Sequence, residues 1–339
     1  MVIEPASVVR AAISLLPVLC FLLALLALDS YKLVRLRMVA AVIALGCLAA
    51  GLSYVVNLAA IRVLGVDFSA YSRFGAPLVE EAIKSSIVLL LIRTNRIGFL
   101  VDASVFGFAV GTGFALIENL YYLNELADTH VAVWIVRGFG TAILHGGVQS
   151  IFAALVLTNV DQRGAMNLRA VGLPLIFAAL VHAAFNQFAL PPIYETLAVL
   201  LSLPPLMLWV FARSERALQG WIGADFDSDQ EMLQLLASGT LSESPVGHYL
   251  HDLRARFSGE VIADLLCYLR LHCELALRAK GVLLMRENGL DVPIDEHTRE
   301  KLEEMHYLER SVGPSALRTV QPLLSISRRD LWQIYMLGK

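Results

Sequence analysis

YSRFGAPLVEEAIKSSIVLLLI, residues 71–92, has the length and apolar content of a membrane-spanning helix, yet it carries Glu80, Glu81 and Lys84. A charged side chain at the centre of an isolated spanning helix costs about 2.5–3.5 kcal/mol on insertion scales. Three further polar residues, Glu118, His145 and His182, lie in three other apolar stretches. The four charged ones alone would cost on the order of 10 kcal/mol if each faced lipid. Such a set is tolerable only where its members face one another, water or a ligand.

The rest of the chain explains why lipid is the relevant solvent. Of 339 residues, 57% are hydrophobic and only 17% charged, against about 25% charged in soluble domains. Apolar stretches follow at 11–28, 38–60, 71–92, 99–123, 131–158, 170–190 and 196–212. The predicted fold is therefore all-α, a polytopic membrane helix bundle of about seven spans with a small helical C-terminal domain. The charges of 71–92 make it the least apolar of the seven, and residues 62–74 before it read as an interfacial helix. A net charge of −3 offers no basic surplus for nucleic acid. Cys20, Cys47, Cys267 and Cys273 are split between apolar stretches and a polar tail, which implies no disulfide framework.

Basic residues set the orientation. Lys32, Arg35 and Arg37, then Arg93 and Arg96, then Arg163 and Arg169 occupy the odd connections. The even connections carry Arg62 and Arg73, with the acidic Glu125, Asp128 and Glu195 in the later ones. The positive-inside rule then puts the N-terminus outside and the tail in the cytoplasm, with a bacterial inner membrane as the expected location. Arg10 precedes the first span, but cleavage there would strand Lys32, Arg35 and Arg37 outside, so this span is read as retained rather than as a signal peptide.

Residues 1–212 thus form the membrane domain and 213–339 a soluble all-α domain. From Arg213 to Lys339 there are 15 basic and 19 acidic side chains, expected after a short linker. Leu265, Leu266, Leu269, Cys273 and Leu277 recur at helical spacing. Ser228, Ser244, Asp295 and Ser327 are N-cap candidates, and Asp291-Val-Pro293 and Gly313-Pro314 read as breaks. Asp225-Phe-Asp227-Ser-Asp229 begins like a calcium loop, but Gln230 and Leu236 stand where glycine and glutamate are required. It reads as an acidic turn. Cys267, His272 and Cys273 lack zinc-site spacing. The tail's expected role is regulation or contact with a cytoplasmic partner.

Spacing orders the intramembrane groups. Glu80 and Lys84 are four apart and share a face. Phe114 precedes Glu118 by four, with Asn119 adjacent; His145 precedes Gln149 by four, and His182 precedes Asn186 by four. A second polar group one turn away is how a buried acid or imidazole is oriented. Carboxylates and imidazoles in a dry pocket suit hydrolysis, with Glu80 or Glu81 taking a proton from water and a histidine serving the leaving amine or the oxyanion. Two histidines and a glutamate (His145, His182 and Glu118) equally suit a metal such as zinc that activates the water. Arg137, two turns before His145, either supports Glu118 or a substrate, or snorkels; Asp102 reads as interfacial.

The same residues carry a family resemblance. Glu80-Glu81-Ala-Ile-Lys84 resembles the Glu-Glu-x-x-Lys signature of the PrsW family of intramembrane proteases. Phe114-Ala-Leu-Ile-Glu118-Asn119 is similar to its second motif, His145 to its third, and His182-Ala-Ala-Phe-Asn186 to its fourth. These proteases are distantly similar to the CAAX-processing membrane proteases, which carry histidine in the second motif, where this chain has Glu118. The resemblance spans residues 71–190. It implies a metallo- or glutamic endopeptidase acting on a membrane-anchored protein, such as a tethered anti-sigma factor. Glu80, Glu81, Glu118, His145 and His182 would be catalytic, with Lys84, Asn119 and Asn186 in support. The competing reading is a proton- or ion-coupled transporter, since buried carboxylates and histidines also form proton relays; the chain shows none of the inverted repeats such folds often carry.

Overall fold

The computed structural model describes residues 5–126, 129–163, 166–290, 293–324 and 337, and the side chains of these except at 5–6, 221–228 and 321–322. Asp128, Asp291, Val292 and Ser327, and the side chains of Asp225, Asp227 and Ser228, lie outside the described residues. All the described regular structure is helical, with no strand among the described residues. The chain divides into two compact units with the boundary after Glu215.

In the first unit, α1 (Pro5–Ala27) and α2 (Leu36–Leu64) come first. A short turn, α3 (Phe68–Ala70), runs through a π-helical turn at Tyr71–Gly75 into α4 (Ala76–Arg93). Then come α5 (Leu100–Glu125), α6 (Val131–Ile135), a second π-helical turn at Val136–Thr141, α7 (Ala142–Arg163), α8 (Leu168–Phe185) and α9 (Pro192–Ala237). Six helical stretches among the described residues are long and apolar enough to cross a membrane. The third expected span is a helix too, but Glu80, Glu81, Lys84 and Arg93 keep α4 out of that set.

The packing puts α5 at the centre: 83% of its apolar window is buried, against 28% for α1. Small residues permit the close approach. A Cβ on Gly111 would run into the His145 carbonyl of α7, and one on Gly113 into the Ile43 carbonyl of α2. Ala49 and Ala50 of α2 and Phe114 of α5 form an apolar cluster, with Ile83 and Ile87 of α4 packed on it. This cluster lies directly behind the polar residues described below.

Several local expectations change. Residues 62–74 are not one interfacial helix. Gly65 ends α2 in the left-handed region (φ 62°), and Asp67 caps α3 by accepting from the Ala70 N–H. Asp102 is buried, not interfacial; its carboxylate accepts the N–H groups of Gly98 and Phe99 at the start of α5. The sixth span stops at Phe185 rather than residue 190. There is no linker after Arg213, because α9 continues to Ala237. Ser228 and the acidic stretch 225–229 therefore sit within a helix, neither a cap nor a turn. Residues 213–237 hold no proline, and Gly220 and Gly223 weaken a helix without breaking it, so the change in charge density altered the solvent preference without ending the helix.

In the second unit, α10 (Pro245–Asp252), α11 (Gly259–Glu287) and α12 (Glu296–Val320) follow the end of α9. Ser244 and Asp295 act as caps, accepting from the N–H groups of Gly247 and Thr298. Gly313 kinks α12 at φ 77°. Leu265, Leu269 and Cys273 are buried, with Tyr268 and His272 on neighbouring turns of the same buried face. Lys280 is buried and pairs with Asp229.

Candidate active site

The polar residues of the spans meet at one end of the first unit. There α4 begins, α5 ends, α7 begins and α8 ends, so Glu80 and Glu81, Glu118, His145 and His182 lie at similar depth although far apart in sequence.

Glu81 is the innermost member. Its Oε1 accepts from Lys84 Nζ and lies 2.8 Å from His182 Nδ1, and its Oε2 accepts from Gln149 Nε2 at 2.6 Å. Every lone-pair direction toward the interior thus meets a donor, which lets a carboxylate exist away from water. Lys84, also fully buried, reaches His145 Nδ1 at 3.0 Å and lies 4.4 Å over the Phe114 ring. An ammonium has no acceptor, so His145 Nδ1 accepts and its Nε2 carries the proton, donated to Glu118 Oε2 at 2.7 Å. By the same logic His182, donating from Nδ1 to Glu81, presents a bare Nε2 on its other side. That nitrogen faces Glu80 Oε2 at 3.9 Å. The two imidazoles meet edge to face, 4.8 Å between centroids.

Glu80 and Glu81 have different surroundings despite being adjacent. Glu80 Oε1 accepts one long bond from Asn57 Nδ2, 3.3 Å, and Asn57 in turn accepts from the Tyr71 hydroxyl at 3.0 Å. Side-chain exposure is 18% for Glu80 and 26% for Glu118, but 0% for Glu81 and Lys84. The cluster therefore opens along the Glu80–Glu118 edge and is sealed at Glu81. Glu118 Oε1 lies 3.2 Å from the Arg137 guanidinium.

Most of the residues expected from sequence converge, with three differences. Lys84 pairs with Glu81, three residues away, rather than with Glu80, since Glu81 is the carboxylate turned toward His145 and the interior. The carboxylate that lies with both histidines is Glu80 rather than Glu118: one donor atom each from Glu80, His145 and His182 falls within 4.8 Å of the others. Asn186 caps α8, and its amide donates to the Ser72 carbonyl at 3.4 Å, away from the imidazoles. Asn57 was missed, although a lone amide in an otherwise apolar span was a signal for it. Tyr71 had no signal, because aromatic residues at membrane ends are common.

These donors fit a metal. Two imidazole nitrogens and a carboxylate oxygen match a catalytic zinc set that keeps a position open. Glu81 on His182 Nδ1 supplies the carboxylate–imidazole orientation typical of such sites. His145 has both ring nitrogens engaged, so it must release Glu118 or Lys84 to bind an ion.

A helical bundle with membrane-length apolar helices and a largely buried acid–imidazole cluster defines the class: a multi-pass membrane protein with a polar site within its apolar helices. Comparison with protein families gives the particular one. The family of PrsW intramembrane metalloproteases matches residues 34–212, and the chain belongs to that family. It is an integral membrane protease. Comparison with curated proteins and with solved structures found no match.

Proposed function

We propose that the chain hydrolyses peptide bonds of membrane-anchored proteins at the Glu80–Glu118 edge, with residues 1–212 as the proteolytic domain. The observation that carries this reading is the Glu80–His145–His182 group, brought within 4.8 Å from three helices, with Glu80 its partly exposed member. Glu80 takes the proton of the attacking water, because it is the carboxylate with a single weak donor and partial exposure. Once protonated, it delivers that proton to the amine nitrogen as the peptide bond breaks. Glu81 is fully engaged by donors and instead orients His182. Lys84 holds Glu81, and Glu118 fixes the His145 ring through Nε2, so that Nδ1, once released by Lys84, is the nitrogen left for a metal. Asn119 supports from behind through Arg137.

Glu80, His145 and His182 would hold the metal, one Glu80 oxygen being left for the water proton; the donor set favours zinc. When bound, the metal supplies Lewis acidity that acidifies water and polarises the scissile carbonyl. The loop charges support an N-terminus outside and a cytoplasmic C-terminal domain, available to a cytoplasmic partner.

The test uses full-length protein in proteoliposomes and a single-span reporter peptide labelled with fluorophore and quencher across its membrane segment. Glu80→Gln should slow cleavage about 10²–10⁴-fold, the usual worth of a general base. Cleavage at the wild-type rate would refute the assignment. Elemental analysis should find about one zinc per chain, depleted in His182→Ala.

A further inference from the structure

We propose that Arg137 is a positioning residue, a clamp that divides the two oxygens of Glu118 and thereby fixes the orientation of the His145 ring. The inference rests on the catalytic reading above, in which Glu118 holds His145. The geometry is specific. Arg137 sits in the π-helical turn Val136–Thr141, two turns ahead of His145. The extra residue of a π turn re-aims the side chains around it. The guanidinium is 3.2 Å from Glu118 Oε1, while Glu118 Oε2 receives His145 Nε2 at 2.7 Å. Arg137 Nε donates to Asn119 Oδ1 at 2.9 Å, and the guanidinium carbon lies 3.7 Å over the Tyr122 ring. Asn119 is buried and is itself anchored, its Nδ2 donating to the Ser14 carbonyl of α1 at 2.8 Å. The anchor thus comes from a helix outside the region matched by the family.

A snorkelling arginine would extend its charge to water. Arg137 is only 13% exposed, and its guanidinium meets an amide, a carboxylate and an aromatic face. The planar fork explains the choice of arginine: Nε donates to Asn119, a terminal nitrogen stands beside Glu118 as an ion pair, and the flat face stacks. Without the clamp, Glu118 can rotate and offer either oxygen to His145, so the imidazole no longer has one preferred pose. Partners that orient an active-site imidazole are typically worth about 10–100-fold. Since Arg137 is held by its own partners behind Glu118, the loss should fall on kcat and not on KM.

The experiment compares Arg137→Met, Arg137→Lys and Glu118→Gln in proteoliposomes with the single-span reporter. Arg137→Met should lower kcat about 10–100-fold with KM within about twofold. Arg137→Lys should recover part of that loss, because an ammonium pairs with Glu118 but cannot also serve Asn119 and stack on Tyr122. Several results would overturn the clamp: an unchanged kcat in Arg137→Met, a change confined to KM, or Arg137→Lys no better than Arg137→Met. So would failure of both Arg137 variants to give a monodisperse protein, since the residue would then serve the fold and not the carboxylate. Glu118→Gln separates the two readings. If it cleaves normally, the assignment of Glu118 falls and the clamp with it; if it is inactive while Arg137→Met cleaves normally, the clamp alone falls.

Discussion

Replacing Lys84 by methionine tests whether Glu81 and Lys84 are a buried, mutually dependent pair. Both side chains are fully buried, and Lys84 Nζ donates to Glu81 Oε1. Removing the ammonium leaves Glu81 with His182 Nδ1 and Gln149 Nε2 as its remaining donors and no lysine to compensate its charge. Breaking a buried pair from one side typically costs about 3–5 kcal/mol. Glu81→Gln strands the ammonium against the Phe114 face and His145 Nδ1, with a cost of about the same size. In the double variant no charge is stranded. The amide oxygen introduced by Glu81→Gln keeps an acceptor for His182, and the methionine fills the lysine's stem volume. The total cost of the double variant should fall short of the summed single costs by about 2–3 kcal/mol. Equilibrium unfolding in mixed micelles of increasing SDS fraction measures all three. Penalties that add within about 0.5 kcal/mol would refute the argument, and so would a Lys84→Met cost below about 1 kcal/mol. The double variant should fold yet cleave poorly, because His182 loses its carboxylate partner and His145 loses Lys84 from Nδ1.

Three further expectations follow from packing and charge. Gly111→Ala places a methyl against the His145 carbonyl. It should destabilise by about 1–3 kcal/mol and lower kcat by shifting His145, both readable in the same unfolding and cleavage assays. Asp102→Ala removes the acceptor for the Gly98 and Phe99 N–H groups. It should lower stability by about 1–2 kcal/mol while kcat of the folded fraction is unchanged. In the C-terminal unit, His272 is buried with both ring nitrogens lacking a partner among the described residues, and desolvation, reinforced by Lys280, pushes its pKa down to about 4. An unfolded histidine titrates near 6.5, so the unfolded chain binds the extra proton first. Stability of this unit should fall as pH drops below about 6.5 and level off below about 4, by about 3 kcal/mol in all. Hydrogen exchange of α11 measured against pH in the full-length protein should show this slope, and His272→Leu should remove it.

Composition and periodicity were enough to predict an all-α membrane bundle, because apolar runs of spanning length have few other solutions. They were enough to single out Glu80, Glu81, Glu118, His145 and His182, which lie together in the structure, since charges and imidazoles stand out in apolar runs. They misplaced what depends on continuity: α9 runs through residue 213 because a shift from apolar to charged residues does not interrupt backbone hydrogen bonding. They also misread Asp102, whose burial follows from its capping role at the start of α5.

What one-dimensional pattern could not decide is which of two adjacent carboxylates does what. Glu80 and Glu81 differ by about 100° of helix rotation, and the roles proposed for them rest on what each meets. Glu81 meets Lys84, His182 and Gln149, while Glu80 accepts one bond from Asn57 and lies 3.9 Å from His182 Nε2 at the more exposed edge. Which of the two faces inward depends on how α4 is turned within the bundle, and the π-helical turn at Tyr71–Gly75 shifts the register just before it. The sequence by itself determined that costly polar groups had to gather within a membrane bundle. Only the tertiary structure decided that Glu80 faces the histidines and the opening, that Glu81 is locked inside, and that Arg137 stands behind Glu118, because these depend on contacts between helices distant in the chain.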